Sequence, residues 1–278
     1  MTARRTLAAA VLAACSLAQP AAAHAYDATI KYTRYGIPHI SGKDFGDLGF
    51  GYGYAFAKDN VCTMADQYVT VRAERSKFFG PDGSYVQRGN GTTVKNLDSD
   101  FFWQRIVNDR VVEKLMTRKP PLGPRADVRE GVEGYVAGWN AYLDDVGGSD
   151  GVTDPRCKGK PWVTKISVID AYRRFYQLIL LASQAVAIDG IANAAPVTGT
   201  FQPPAADALA IANDLADEFP KGGIGSNAVA IGRDGMKGGK GGLVLGNPHF
   251  PWLGTERFYQ FHMTIPKQVD VAGAGLFG

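Results

Sequence analysis

The chain has 278 residues, 45% of them hydrophobic and 21% charged, an ordinary globular balance with length enough for a sizeable core. Lys and Arg number 30 against 27 Asp and Glu. The resulting charge of +3 is too small to argue for a nucleic-acid partner, and no basic cluster stands out.

The first residues read as an export signal over 1–25. Arg4 and Arg5 form a charged start, Leu7 to Leu17 is apolar, and Ala23-His24-Ala25 fits a small-x-small cleavage site before Tyr26. A secreted or periplasmic location is therefore expected. The apolar run is too short to span a membrane, so no membrane span is expected. Arg4-Arg5-Thr6-Leu7 also permits a twin-arginine route. Leu12-Ala13-Ala14-Cys15 resembles a lipoprotein box, but the apolar run continues past Cys15 to a better cleavage site. Once Cys15 leaves with the leader, Cys62 and Cys157 remain, an even count for an oxidising compartment. They are expected to pair, closing a loop worth up to about 4–5 kcal/mol in the chain-entropy picture. The alternative is two separately buried thiols.

In chain order, Thr29 to His39 is a strand candidate interrupted by Gly36-Ile37-Pro38. Asp44 suits the N-cap of a helix running into Phe56, with Asp47 in its first turn. Phe50, Tyr52, Tyr54 and Phe56 alternate with period two, which taken alone reads as a strand. Residues 61–79 read as helix, with Val61, Met64, Ala65, Tyr68 and Val71 on one side. Residues 81–100 are turn-rich and polar. Residues 125–143 form the clearest amphipathic helix, through Val128, Val132, Tyr135, Val136, Trp139 and Tyr142. A Gly/Asp/Pro loop fills 144–161. Ser167 and Asp170 make a capping box for a helix through about Val186, with Tyr172, Phe175, Leu178, Ile179 and Ala182 as its buried face.

Between 195 and 225 the character changes. Pro196, Pro203, Pro204 and Pro220 sit among small residues, only a short helix over about 205–216 fits, and glycines close the run. This reads as a removable spacer. From Ser226 the period is two: Ser226–Ile231, Leu243–Gly246, Arg257–Ile265 and Val269–Leu276 are strands. The first two flank the polar loop Arg233–Lys240 as an antiparallel hairpin, which places Asn247, Pro248 and His249 opposite Ser226.

That juxtaposition carries the chemistry. A serine hydroxyl is a weak nucleophile without a base. If the chain is cut between Gly225 and Ser226, Ser226 gains an α-amine of pKa about 7.7–8.0, beside its own hydroxyl. The same hydroxyl can first attack the Gly225 carbonyl, and glycine tolerates the strained backbone that requires. Taken alone, a Gly-Ser pair entering a strand is unremarkable backbone. His249 is placed to hold the Ser226 amine or hydroxyl, and Asn247 to satisfy backbone groups at the strand end. His39 and His262 read as structural, without metal-ligand spacing to cysteine or to each other. The 232–242 loop lacks P-loop spacing, Gly-x-Ser-x-Gly is absent at Ser226, and the aspartates over 144–154 do not match a calcium loop. Asn90-Gly91-Thr92 is a glycosylation sequon. No cofactor or metal is required.

Gly225-Ser226-Asn227 followed by Asn247-Pro248-His249-Phe250-Pro251-Trp252 resembles the penicillin acylase family of N-terminal nucleophile hydrolases, in its aculeacin A and acyl-homoserine-lactone acylase branch. Arg34–Ile40 and Gly51–Asn60 resemble that family's opening. The resemblance implies an α+β protein of αββα layering: an α chain over 26–200, an excised spacer over 201–225, and a β chain from 226 that pairs with the α chain as a heterodimer. It implies hydrolysis of an amide joining an acyl chain to an amine. Ser226 would be nucleophile and base, His249 its neighbour, and Asn227 and Asn247 supporting. It makes 44–60 helical, and offers Tyr172, Phe175 and Leu178 for the acyl pocket. A long aliphatic acyl group is expected, with aromatic penicillin side chains as the runner-up. The family's β chain runs much further than the 53 residues here, and its oxyanion-hole residues fall beyond residue 278, so the sequence reads as an incomplete N-terminal fragment. A silent acyl-binding homologue and a purely structural exported β protein are the other classes. The second explains neither the helical first half nor the spacer.

Overall fold

The computed structural model describes residues 26–196 and 225–277, apart from residues 88, 90 and 182. The leader, the 205–216 helix, nearly all of the spacer, Ala182 and the sequon residue Asn90 lie outside the described residues. The architecture is α+β. A helical body carries one four-stranded sheet, and a separate two-stranded ribbon holds Ser226.

The body is organised by α1 (Phe45–Val71) and α5 (Ala126–Asp145). Asp44 caps α1, its carboxylate accepting from the Asp47 amide at 2.8 Å. The period-two reading of 50–56 gives way to helix, for a packing reason. A Cβ placed on Gly49 or Gly53 would lie 2.0 Å and 2.1 Å from the carbonyl oxygens of Gly131 and Tyr135 on α5. Reciprocally, a Cβ on Gly134 or Gly138 would lie 2.0 Å from the carbonyl oxygens of Gly46 and Phe50. The two backbones touch, and only glycine allows it. Gly51 faces the sheet instead, where a Cβ would meet the Ile40 side chain at 2.6 Å. Tyr52 and Phe56, one helical turn apart, pack against Tyr259. The Gly-aromatic alternation thus records two close approaches on one helix, not a pleat.

Smaller helices complete the body: α2 (Arg75–Phe79), α3 (Asn96–Asn108), α4 (Val111–Met116), α6 (Val168–Leu180) and α7 (Ile188–Ala192). Trp103, Trp139, Tyr68 and Phe102 fill its core. The polar stretch 81–100 holds a short hairpin of β3 (Ser84–Val86) and β4 (Thr93–Lys95) and then the start of α3. Cys62 on α1 is disulfide-bonded to Cys157 in the loop after α5, across 95 residues of sequence. Among the described residues no single helix is long and apolar enough to cross a membrane.

Helix α6 has the Ser167–Asp170 capping box but stops at Leu180, six residues early, with a 3-10 turn over Gln184–Ala187 following. Its buried face also differs from the expected one. Ile179 is 72% exposed and Leu178 and Phe175 are half-buried, whereas Asp170, Arg174 and Gln177 are buried. These polar groups go inside because each has a partner. Arg72 grips Asp170 through Nε and Nη2, at 3.0 and 2.7 Å. Burial raises the Asp170 pKa, but the Arg72 guanidinium outweighs it and holds the carboxyl below its ordinary value.

The four-stranded sheet runs β1 (Thr29–Tyr32), β2 (Pro38–Ser41), β7 (Phe258–Ile265), β8 (Val269–Leu276). The β2–β7 pair is parallel and the other two are antiparallel. Ile30, Ile40, Met263, Ile265 and Val269 face α1, while Lys31, His39, His262 and Asp270 alternate onto the opposite face.

Gly53→Ala is expected to lower stability by about 1–3 kcal/mol, because the methyl meets backbone that cannot yield. Gly51→Ala meets a side-chain methyl and is expected to cost less. Urea unfolding of both variants checks the order, and a larger loss for Gly51→Ala would refute direct backbone contact.

Candidate functional site

Strands β5 (Gly225–Ile231) and β6 (Leu243–His249) form the ribbon, in the antiparallel register set by the loop between them. Gly225 stands opposite His249, Ser226 opposite Pro248, and Asn227 opposite Asn247. The opening and closing motifs therefore meet, within one residue of level. Directly opposed residues share a face, so Ser226 shares one side with Pro248, and His249, Asn247 and Asn227 share the other. His249 is thus the cross-strand neighbour of Gly225 and not of the Ser226 side chain. Asn247 Nδ2 donates to His249 Nε2 at 2.9 Å, which leaves the proton of a neutral ring on Nδ1. Residues 226–231 and 243–249 of the ribbon are exposed, with Val244 at 72% and Leu245 at 64%.

The loop from Phe250 to Arg257 connects this ribbon to β7, and its far end is fastened by buried polar groups that the sequence reading missed. Arg174 on α6 is fully buried. Its Nη2 donates to the carbonyl oxygens of Thr255 and Phe277 at 3.3 and 3.1 Å, and its Nη1 to Gln177 Oε1 at 2.8 Å. Glu256 lies 3.8 Å from the same guanidinium with its side chain 3% exposed. Burial depresses the Arg174 pKa, against the pull of Glu256. Thr255 donates to Glu256 Oε1 at 2.7 Å, while Glu256 Oε2 has no hydrogen-bond partner among the described residues. That carboxylate borders a cavity of about 230 Å³ with Asp66, Gln67 and Gln177. Next along, Arg257 donates to Asn60 Oδ1 at 2.9 Å, at the residue whose non-helical φ of −138° kinks α1. Tyr259 donates to Asp59 at 2.6 Å. Burial, and then this hydrogen bond to Asp59, push the Tyr259 hydroxyl pKa up, so it stays a donor. The only advance signal was an arginine one helical turn after the capping Asp170, on the same face of α6.

The sequence matches the penicillin amidase family over residues 27–278. The chain belongs to this family. It is 40% identical to aculeacin-A acylase of Actinoplanes utahensis, over 96% of this chain and 34% of that protein. It is 39% identical to the acyl-homoserine lactone acylase PvdQ of Pseudomonas putida, over 94% of this chain and 32% of that protein. The chain thus spans about a third of the length of these relatives. A thermostable penicillin G acylase from Alcaligenes faecalis superposes on 65% of this chain and 98% of its own, with a TM-score of 0.38 and 19% identity.

In this penicillin amidase chain the three residues offered for an acyl pocket part company. Phe175 lines an apolar cleft of about 380 Å³ between α1, α5 and the inner sheet face, with Leu48, Tyr52, Val132, Phe261 and Met263. Tyr172 is buried in the helical core and packs edge-on against Phe175, and neither it nor the half-buried Leu178 borders the cleft.

Arg174→Met is expected to cost about 3–5 kcal/mol, because it strands the Glu256 carboxylate in the interior. Adding Glu256→Gln is expected to recover part of that loss. Denaturant melts of both variants test the coupling, and strict additivity would dissolve it.

Proposed function

We propose that the protein is an exported, self-cleaving acylase precursor that hydrolyses the amide between an aliphatic acyl chain and an amine. One observation carries the reading: Gly225-Ser226 opens β5 with His249 opposite the glycine that cleavage removes. The Ser226 hydroxyl attacks the Gly225 carbonyl, the amide shifts to an ester, and water releases the new N-terminus. Loss of Gly225 vacates the position facing His249 and leaves the Ser226 α-amine at the ribbon's end. With a pKa of about 7.7–8.0, that amine takes the hydroxyl proton at neutral pH. The Ser226 oxygen then attacks the substrate carbonyl, the amine leaves with the proton, and water hydrolyses the acyl-serine. His249, steadied by Asn247, holds the amine end of this unit.

The aliphatic choice rests on the names of the relatives, one an aculeacin-A acylase and one an acyl-homoserine lactone acylase, and on the apolar lining around Phe175. The two halves, 26–200 and 226 onward, would remain together as a heterodimer through the Arg174, Asn60 and Asp59 contacts and the β2–β7 pairing. Export follows from the leader, and the mature chain would begin at Tyr26.

Intact mass and N-terminal sequencing of the protein from its uninterrupted reading frame test this. A chain beginning Ser226-Asn227-Ala228 is expected, and is expected to vanish in Ser226→Ala. One uncut chain in both would refute the mechanism. Faster hydrolysis of a phenylacetyl amide than of a long-chain acyl-homoserine lactone would overturn the substrate choice alone.

A further inference from the structure

We infer that His39 and His262 form a chelating site for a borderline divalent transition metal, best Cu(II), on the outer face of the four-stranded sheet. The two residues are 223 positions apart in sequence, yet the parallel β2–β7 pairing sets them side by side. Their Nδ1 atoms face each other at 2.8 Å, and the rings meet nearly edge to face at 83°. On the far side of the His262 ring, Nε2 lies 2.6 Å from Asp270 Oδ1 on β8.

These distances fix the protons. A carboxylate only accepts, so His262 Nε2 carries hydrogen and a neutral ring has its lone pair on Nδ1. That lone pair points at His39. Without metal, His39 Nδ1–H donates to it. With metal, the His39 proton sits on Nε2 and both rings tilt, turning the two Nδ1 lone pairs off the N–N line onto one ion. Two nitrogens bound at right angles to one ion at 2.0–2.1 Å stand about 2.9 Å apart, so the present spacing is within a tenth of an ångström or so of a square-planar chelate. That geometry is the preference of Cu(II), which also heads the affinity order for nitrogen ligands. Asp270 then serves as the outer partner that metal-binding histidines use to fix tautomer and ring angle.

Access and charge are compatible. His39 and Asp270 are exposed and His262 is half-buried. Lys31 stands opposite His39 and opposes a cation, but its stem lets the ammonium stay in water, and Asp270 offsets it. Among the described residues no three His, Cys, Asp or Glu side chains converge on one point, so water supplies the remaining ligands. The site lies on the sheet, not on the ribbon, and stands or falls independently of the acylase reading.

The test is titration of the purified protein with CuCl2 against a glycine competitor, read by calorimetry and by electron paramagnetic resonance. One equivalent with two-nitrogen coupling is expected. His39→Ala and His262→Ala are expected to lose it, and Asp270→Asn to weaken it about 10–100-fold. Absence of the equivalent in the wild type, its survival in His39→Ala, or its loss in His249→Ala instead would overturn the assignment. Circular dichroism checks each fold. His39→Ala decides alone if His262→Ala does not fold, because His39 is exposed.

Discussion

Two helices laid backbone against backbone set the geometry on which the rest of this protein depends. Where glycines on α1 and α5 let carbonyl oxygens sit at the place of a missing Cβ, the helices cannot slide or separate without losing contact along several turns. Their shared axis fixes which way Tyr52 and Phe56 project, hence how the sheet lies on the body. Because that contact is made of backbone, it transmits position with little play.

The second constraint is polar. The loop following the Asn-Pro-His motif is anchored by Arg174, Asn60 and Asp59, all contributed from the helical part. A buried guanidinium bonded to two carbonyl oxygens is directional in a way that apolar packing is not. It defines a single seat for Thr255 and Phe277, and so for the strands that lead away from them. The proposed catalytic unit sits on a ribbon held at one end by this seat.

Much of this was legible in the sequence where the signal was local. The hairpin register followed from strand length and a polar loop. The α6 capping box followed from Ser167 and Asp170, and the amphipathic helix α5 from its spacing. Signals failed where the deciding contact was remote. Nothing local marked Arg174 as buried, because its partners lie 81 and 103 residues away, and the apolar face drawn for α6 pointed at Ile179, which is exposed. The alternation in 50–56 mimicked a strand because periodicity cannot distinguish a glycine that bends from a glycine that makes room. That His39 and His262 are neighbours was invisible for the same reason, because only the parallel β2–β7 pairing unites them. The family resemblance rested on motifs at both ends of the chain and agrees with the match over residues 27–278.

The strand order β1-β2-β7-β8 has a kinetic corollary. As the chain leaves the ribosome, the β1–β2 hairpin and both glycine-bearing helices are complete long before β7 exists. The open edge of β2 must then wait for a partner more than two hundred residues downstream, a contact whose loop-closure entropy is met late. Until β7 arrives, the backbone donors and acceptors along that edge remain open to pairing with another chain. Pro38, the first residue of β2, has no backbone N–H to offer, which shortens the row of donors that a stray strand could use.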